Sequence, residues 1–268
     1  MVSLSEIFKY DKYMEHFLEN ANPFTHYNAI LFQDMTPLIL CCQYGLLDKI
    51  KLLLNNPMVD LNARNNAGET ALHLGVVSGN VEVIKILGAR KDLVWNAVDK
   101  EGRPAHFLAL MDGNFEILQL MMSYETAIDW NIKMDGHPLI HLNLHWRSEV
   151  LLERANQRVT PKQRMALFRL LLRIPTLDWN AKDPYGHTLL GLAMDREDVT
   201  MMLFLFETPR LDYDMNQLSL FPLITKDVLQ RCLDRLAREE LTHVFSEAVR
   251  FLEAAKENAL DAKVMMMI

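Results

Sequence analysis

Three histidines, His137, His141 and His145, recur at four-residue intervals in "GHPLIHLNLHW". On one continuous helix that spacing would put three imidazoles on a single face, where their ring nitrogens could hold zinc. Pro138 argues against it, because proline sits in the first turn of a helix and leaves His137 at or before the helix start. The three cysteines, Cys41, Cys42 and Cys232, lie too far along the chain to complete a local ligand set. Nor does the sequence contain an HExxH, a Walker loop, a GxSxG or a GxGxxG. The expectation is therefore a protein with no catalytic residue, no cofactor and no metal.

The other residues that invite chemistry are polar–aromatic steps such as Asp178-Trp179-Asn180 in "LDWNAKDPYGHTLLGLA". Their recurrence makes them structural. "VDLNARNNAGETALHLG" (59–75) and "LVWNAVDKEGRPAHFLA" (93–109) have the same layout, and "IDWNIKMDGHPLIHLN" (128–143) has it with one residue fewer before the glycine. Gly68, Gly102 and Gly136 are 34 residues apart, Asp34 fills the slot one period earlier, and Gly186 follows after one period plus 16 residues. Six residues beyond the slot runs a leucine column, Leu40, Leu74, Leu108, Leu142 and Leu192, followed by mostly small residues. A second column, Leu61, Trp95, Trp130, Trp179 and Tyr213, precedes Asn62, Asn96, Asn131, Asn180 and Asp214. The tryptophans are expected to stack as a core ladder and the asparagines to tie their loops by local backbone bonds.

Each period reads as two helices. A short apolar run is followed by a glycine turn, as in "SGNVE" (78–82), and then by apolar residues at helical spacing, such as Val83, Ile84 and Leu87. Neither helix can bury its apolar face alone, so stability requires stacked neighbours. "MTPLILCCQYG" (35–45) and "GETALHLGVVSGNVEVIKIL" (68–87) closely resemble the ankyrin repeat, while "RPAHFLA" (103–109) departs by shifting the proline and placing His106 at the family's leucine. The resemblance implies an all-α solenoid of stacked helix-turn-helix units over residues 34–216, in five repeats. It also implies that His141 occupies the family's structural histidine position. Asn62 and Asn180 resemble asparaginyl hydroxylation sites of such repeats.

The ends are read as caps. Residues 1–33 carry Leu4, Ile7, Phe8, Met14 and Phe17 and fit one or two short covering helices. In residues 217–268 the stripe Leu241, Val244, Phe245, Ala248, Val249 and Leu252 reads as a capping helix pair, or alternatively as a second docking module. The fourth unit holds an insertion at about 147–164, and Thr160, Pro161 and Gln163 suit a helix restart. Segment 147–173 carries a local excess of five positive charges: a solvated face, or a surface for an acidic protein or phosphate.

A formal charge of −7 speaks against general nucleic-acid binding, and no apolar run is long enough for a membrane span. The odd cysteine count fits reduced core thiols in a cytoplasmic or nuclear setting. The resemblance implies a non-catalytic scaffold or adaptor, monomeric alone, that holds another protein in a concave groove. A regulatory subunit or inhibitor that blocks an enzyme, or an interaction module of a larger assembly, is the alternative. Mapping the family's variable positions puts Phe32, Arg103, Tyr185 and His187 at loop tips, and Tyr44, Met111, Asp112, His145, Trp146, Asp195 and Arg196 on first-helix faces. The large apolar members are expected to be exposed anchors, since the core pattern does not require them.

Overall fold

The computed structural model describes residues 4–20, 27–28, 34–124, 126–142, 161–196, 198–206, 208, 230–231, 233–234 and 250. Most of the insertion, most of the C-terminal cap, Phe32, His145 and Trp146 lie outside them. The chain divides into two compact units, Met1–Trp130 with Arg154–Pro175, and Asn131–Glu153 with Thr176–Ile268. The division passes through the fourth repeat.

The first unit opens with α1 (Leu4–Asn20), one 17-residue helix where one or two short ones were expected. Three helix pairs follow: α2 (Pro37–Tyr44) with α3 (Leu47–Leu54), α4 (Ala71–Ser78) with α5 (Val81–Gly88), and α6 (Ala105–Met111) with α7 (Phe115–Met122). First helices pack on first helices and second on second, so the pairs form two layers; α9 (Pro161–Leu171) also belongs to this unit. Helices of seven or eight residues are too short to persist in water, and the layers hold them. The first helices lie between neighbours and are apolar nearly all round: α4 buries Ala71 through Val76. The second helices are two-faced, as in α5, where Val83, Ile84 and Leu87 are buried and Lys85 is exposed.

The small-residue column marks where the layers approach most closely. A Cβ added at Gly75 would stand 2.9 Å from Val83 Cγ1 and 3.2 Å from Ile84 Cδ1. Leu40, Leu74 and Leu192 are buried as expected, but Leu108 is only partly so; α6 buries His106, Phe107, Ala109 and Leu110 instead. Trp95, Trp130 and Trp179 are all buried.

The asparagines reach farther than the sequence suggested. Asn62 Nδ2 donates to Asp92 O (2.8 Å) and its Oδ1 accepts from Val94 N (2.9 Å). Asn96 grips Ala127 O and Asp129 N in the same way. Asn28 grips Met58 O and Asp60 N, one period earlier than the columns were traced. Each side chain clasps the loop of the following repeat rather than its own.

In the second unit β1 (Lys133–Met134) pairs antiparallel with β2 (His137–Pro138) and leads into α8 (Leu139–Leu142); α8 packs on α10 (Leu189–Asp195), which pairs with α11 (Val199–Phe206). Among the described residues these are the only two strands. They also explain the missing residue before Gly136. Asp135 and Gly136 both have positive φ, 49° and 81°, the two-residue type I′ hairpin. The other tips use three residues ending in a left-handed one, Gly68, Gly102 or Gly186. Asp34, at φ 63°, keeps that geometry with a residue type that tolerates it. In this unit Asn131 clasps Thr176 O and Asp178 N, as Asn62 and Asn96 do in the first.

Candidate functional site

The hairpin tips share one internal frame. Asp99 Oδ1 accepts from Glu101 N and Arg103 N, both at 2.9 Å. Asp183 Oδ1 accepts from Tyr185 N (2.9 Å) and His187 N (2.8 Å), and Asn65 does the same for Ala67 and Glu69. The residue four positions on then covers the second side-chain atom. Asn65 Nδ2 donates to Glu69 Oε2, Arg103 Nε donates to Asp99 Oδ2 (2.7 Å), and His187 Nδ1 meets Asp183 Oδ2 (3.1 Å). An aspartate accepting two backbone N–H groups fixes a tight loop without strain elsewhere. Burial would raise the Asp183 carboxyl. The His187 backbone N–H, the imidazole and the Tyr185 N–H outweigh it and hold its pKa below the ordinary carboxylate value.

The loop position between these anchors and the turn glycine decides what a tip presents. In the third repeat it is Glu101, which turns back to pair with Arg103 Nη2. In the fifth it is Tyr185, with 68% of its surface in water. Its ring lies 6.1 Å from that of His137, on the fourth tip, and 6.2 Å from His187. Pro184 backs the fourth tip closely enough that a Cβ on Gly136 would stand 2.7 Å from its Cγ. Lys133 Nζ donates to Lys182 O (3.2 Å), tying the fourth tip to the fifth.

The remaining candidates fall in different places. Tyr44 is not an exposed anchor: it is buried and stacks on Tyr10 of α1 at 4.2 Å. Met111 is buried at the end of α6. Arg103 and His187 are buried because each folds back onto the aspartate four residues before it. Asp112 and Arg196, which follow α6 and α10, are exposed, and Asp195 is the last residue of α10. The tip anchors Asp99 and Asp183 were missed, though an Asp four residues ahead of an Arg or His at the third and fifth tips was the available signal.

His137 belongs to strand β2 and His141 to α8, so they do not share one helix face. Among the described residues no three His, Cys, Asp or Glu side chains converge as metal ligands. No described helix is long and apolar enough to cross a membrane. His73 does take the structural role expected of the family's histidine. Its Nδ1 accepts from Thr70 N (3.2 Å), which leaves Nε2 to donate to Arg103 O (3.0 Å) in the next repeat.

Comparison with known proteins agrees with this geometry. The family model for ankyrin repeats (3 copies) matches residues 8–97. The fold is similar to that in the crystal structure of the ankyrin repeat domain of Bcl-3, described as a unique member of the IkappaB protein family. That likeness has a TM-score of 0.59 at 17% identity and covers 77% of this chain and 83% of the other. No curated protein sequence matches the chain. Residues 8–97 match the ankyrin-repeat family, and the fold is that of an ankyrin-repeat solenoid. Ankyrin repeats are generally protein-interaction modules.

Proposed function

We propose that this protein is a non-catalytic scaffold or adaptor that holds a segment of another protein at the tips of its fourth and fifth repeats, anchored on Tyr185. The observation that supports the reading is the 68% exposure of Tyr185 between His137 and His187. A large ring left in water on a loop pinned by Asp183 forfeits burial of roughly 2 kcal/mol. It also loses little freedom when a partner covers it. Arg196, in the same unit, would serve as a polar rim contact, which orients a partner more than it holds it. The buried, unbridged Cys41 and Cys42 support a reducing compartment, cytoplasm or nucleus.

The test compares three forms of the full chain as baits in cell lysate: wild type, Tyr185→Ala, and Lys51→Ala, a change on the exposed side of α3. A partner identified by mass spectrometry should be retained by wild type and Lys51→Ala and lost from Tyr185→Ala. An unchanged partner set across the three would remove Tyr185 from the interface.

A further inference from the structure

The third repeat carries His106 where the other repeats place Leu38, Leu72, Ile140 and Leu190, all buried. His106 is buried completely, and neither ring nitrogen makes a hydrogen bond among the described residues. Its ring lies 5.1 Å from the ring of Trp130, tilted by 56°, and the Trp130 indole nitrogen is also buried without a partner. An unpaired polar group in an apolar core is costly, and an unpaired charge there is far more so.

The neighbours do nothing to ease a charge. Helix α4 contributes His73, whose own protonation would add a like charge. The one charged residue of α7 is Glu116, which is exposed, and the exposed Asp112 lies beyond the end of α6. By contrast His73 has Thr70 and the Arg103 carbonyl as partners.

We propose that His106 is an acid-operated weak point: it takes a proton only when the core of the third repeat opens, so acidification loosens that repeat. Burial, with a smaller push from His73, lowers the His106 pKa from 6.5 to about 3. A histidine depressed in this way leaves the fold at full stability above the unfolded value of 6.5. Below it the unfolded chain binds more protons than the native one, and the folding constant falls by up to about tenfold per pH unit.

The test is equilibrium unfolding of the full chain by urea at pH values from about 7.5 to 4.5, for wild type and His106→Leu. The two proteins should run parallel above about pH 6.5, and well below it the wild-type folding constant should fall about tenfold more per pH unit than that of His106→Leu. A residual slope common to both belongs partly to His73, whose pKa burial also lowers. Equal slopes for the two proteins would overturn the proposal. Should His106→Leu not fold, imidazole NMR of the wild type decides. A His106 ring that stays neutral until the repeat opens supports the proposal, and one that titrates near pH 6.5 within the folded protein refutes it.

Discussion

The tips of the third and fifth repeats have the same backbone and opposite surfaces. Both are three-residue loops in which an aspartate accepts the N–H groups two and four residues on. In the third, Arg103 closes over Asp99 and Glu101 closes over Arg103, so the loop satisfies its own charges. In the fifth, His187 closes over Asp183, and Tyr185 points its ring to water. A repeat scaffold thus fixes loop geometry with one residue and leaves its neighbour free to be inert or adhesive. In the reading proposed for Tyr185, binding is a matter of the side chains at a tip and not of the fold.

Breaking the frame should have the largest effect. Asp99→Ala takes from Arg103 its buried partner, leaving only the half-exposed Glu101, and strips two backbone donors. A loss of about 3–5 kcal/mol in denaturant melts is expected. Asp183→Ala removes the same two backbone bonds but strands a side chain that can be neutral, so about 1–3 kcal/mol should be lost. A loss at Asp183 equal to that at Asp99 would mean that the charge of Arg103 is irrelevant.

Acid sharpens the same contrast. The pKa of Asp183 is depressed from 3.8 in the folded state, so its contribution is present above that value and disappears as pH falls through the lower folded-state one. Wild type should lose more stability than Asp183→Ala on titration from about pH 5 to pH 2. Identical acid curves would show that Asp183 titrates alike in both states. Smaller again is Glu101→Ala, whose carboxylate is over half exposed; its removal should cost no more than about 1 kcal/mol.

Much of this was legible in the chain. The 34-residue spacing of Gly68, Gly102 and Gly136 follows from a left-handed turn position that recurs with the repeat, and even Asp34 obeys it. The tryptophan column was legible because burial of a large ring is demanded wherever units stack. Other features depend on contacts that no spacing encodes. Tyr44 sits at a groove-facing position, but Tyr10, far away in sequence, covers it. The tip positions of Arg103 and His187 do not say whether a long side chain reaches outward or back. Asn62 is identical whether it bonds its own loop or the next, and only the fold brings Asp92 and Val94 within reach. Tyr27-Asn28 has the aromatic-Asn form of Trp95-Asn96 and Trp130-Asn131, but no glycine slot precedes it to set the register.

The binding role proposed for Tyr185 requires a side chain that the fold does not need. With the captured partner in hand, its affinity and the thermal midpoint should be measured for wild type and Tyr185→Ala side by side. The expected result is a stability change within about 0.5 kcal/mol and a loss of at least about 1–2 kcal/mol in binding. A variant that melts several degrees lower but binds as tightly per folded molecule would make Tyr185 a packing residue of the fifth tip and contradict the account.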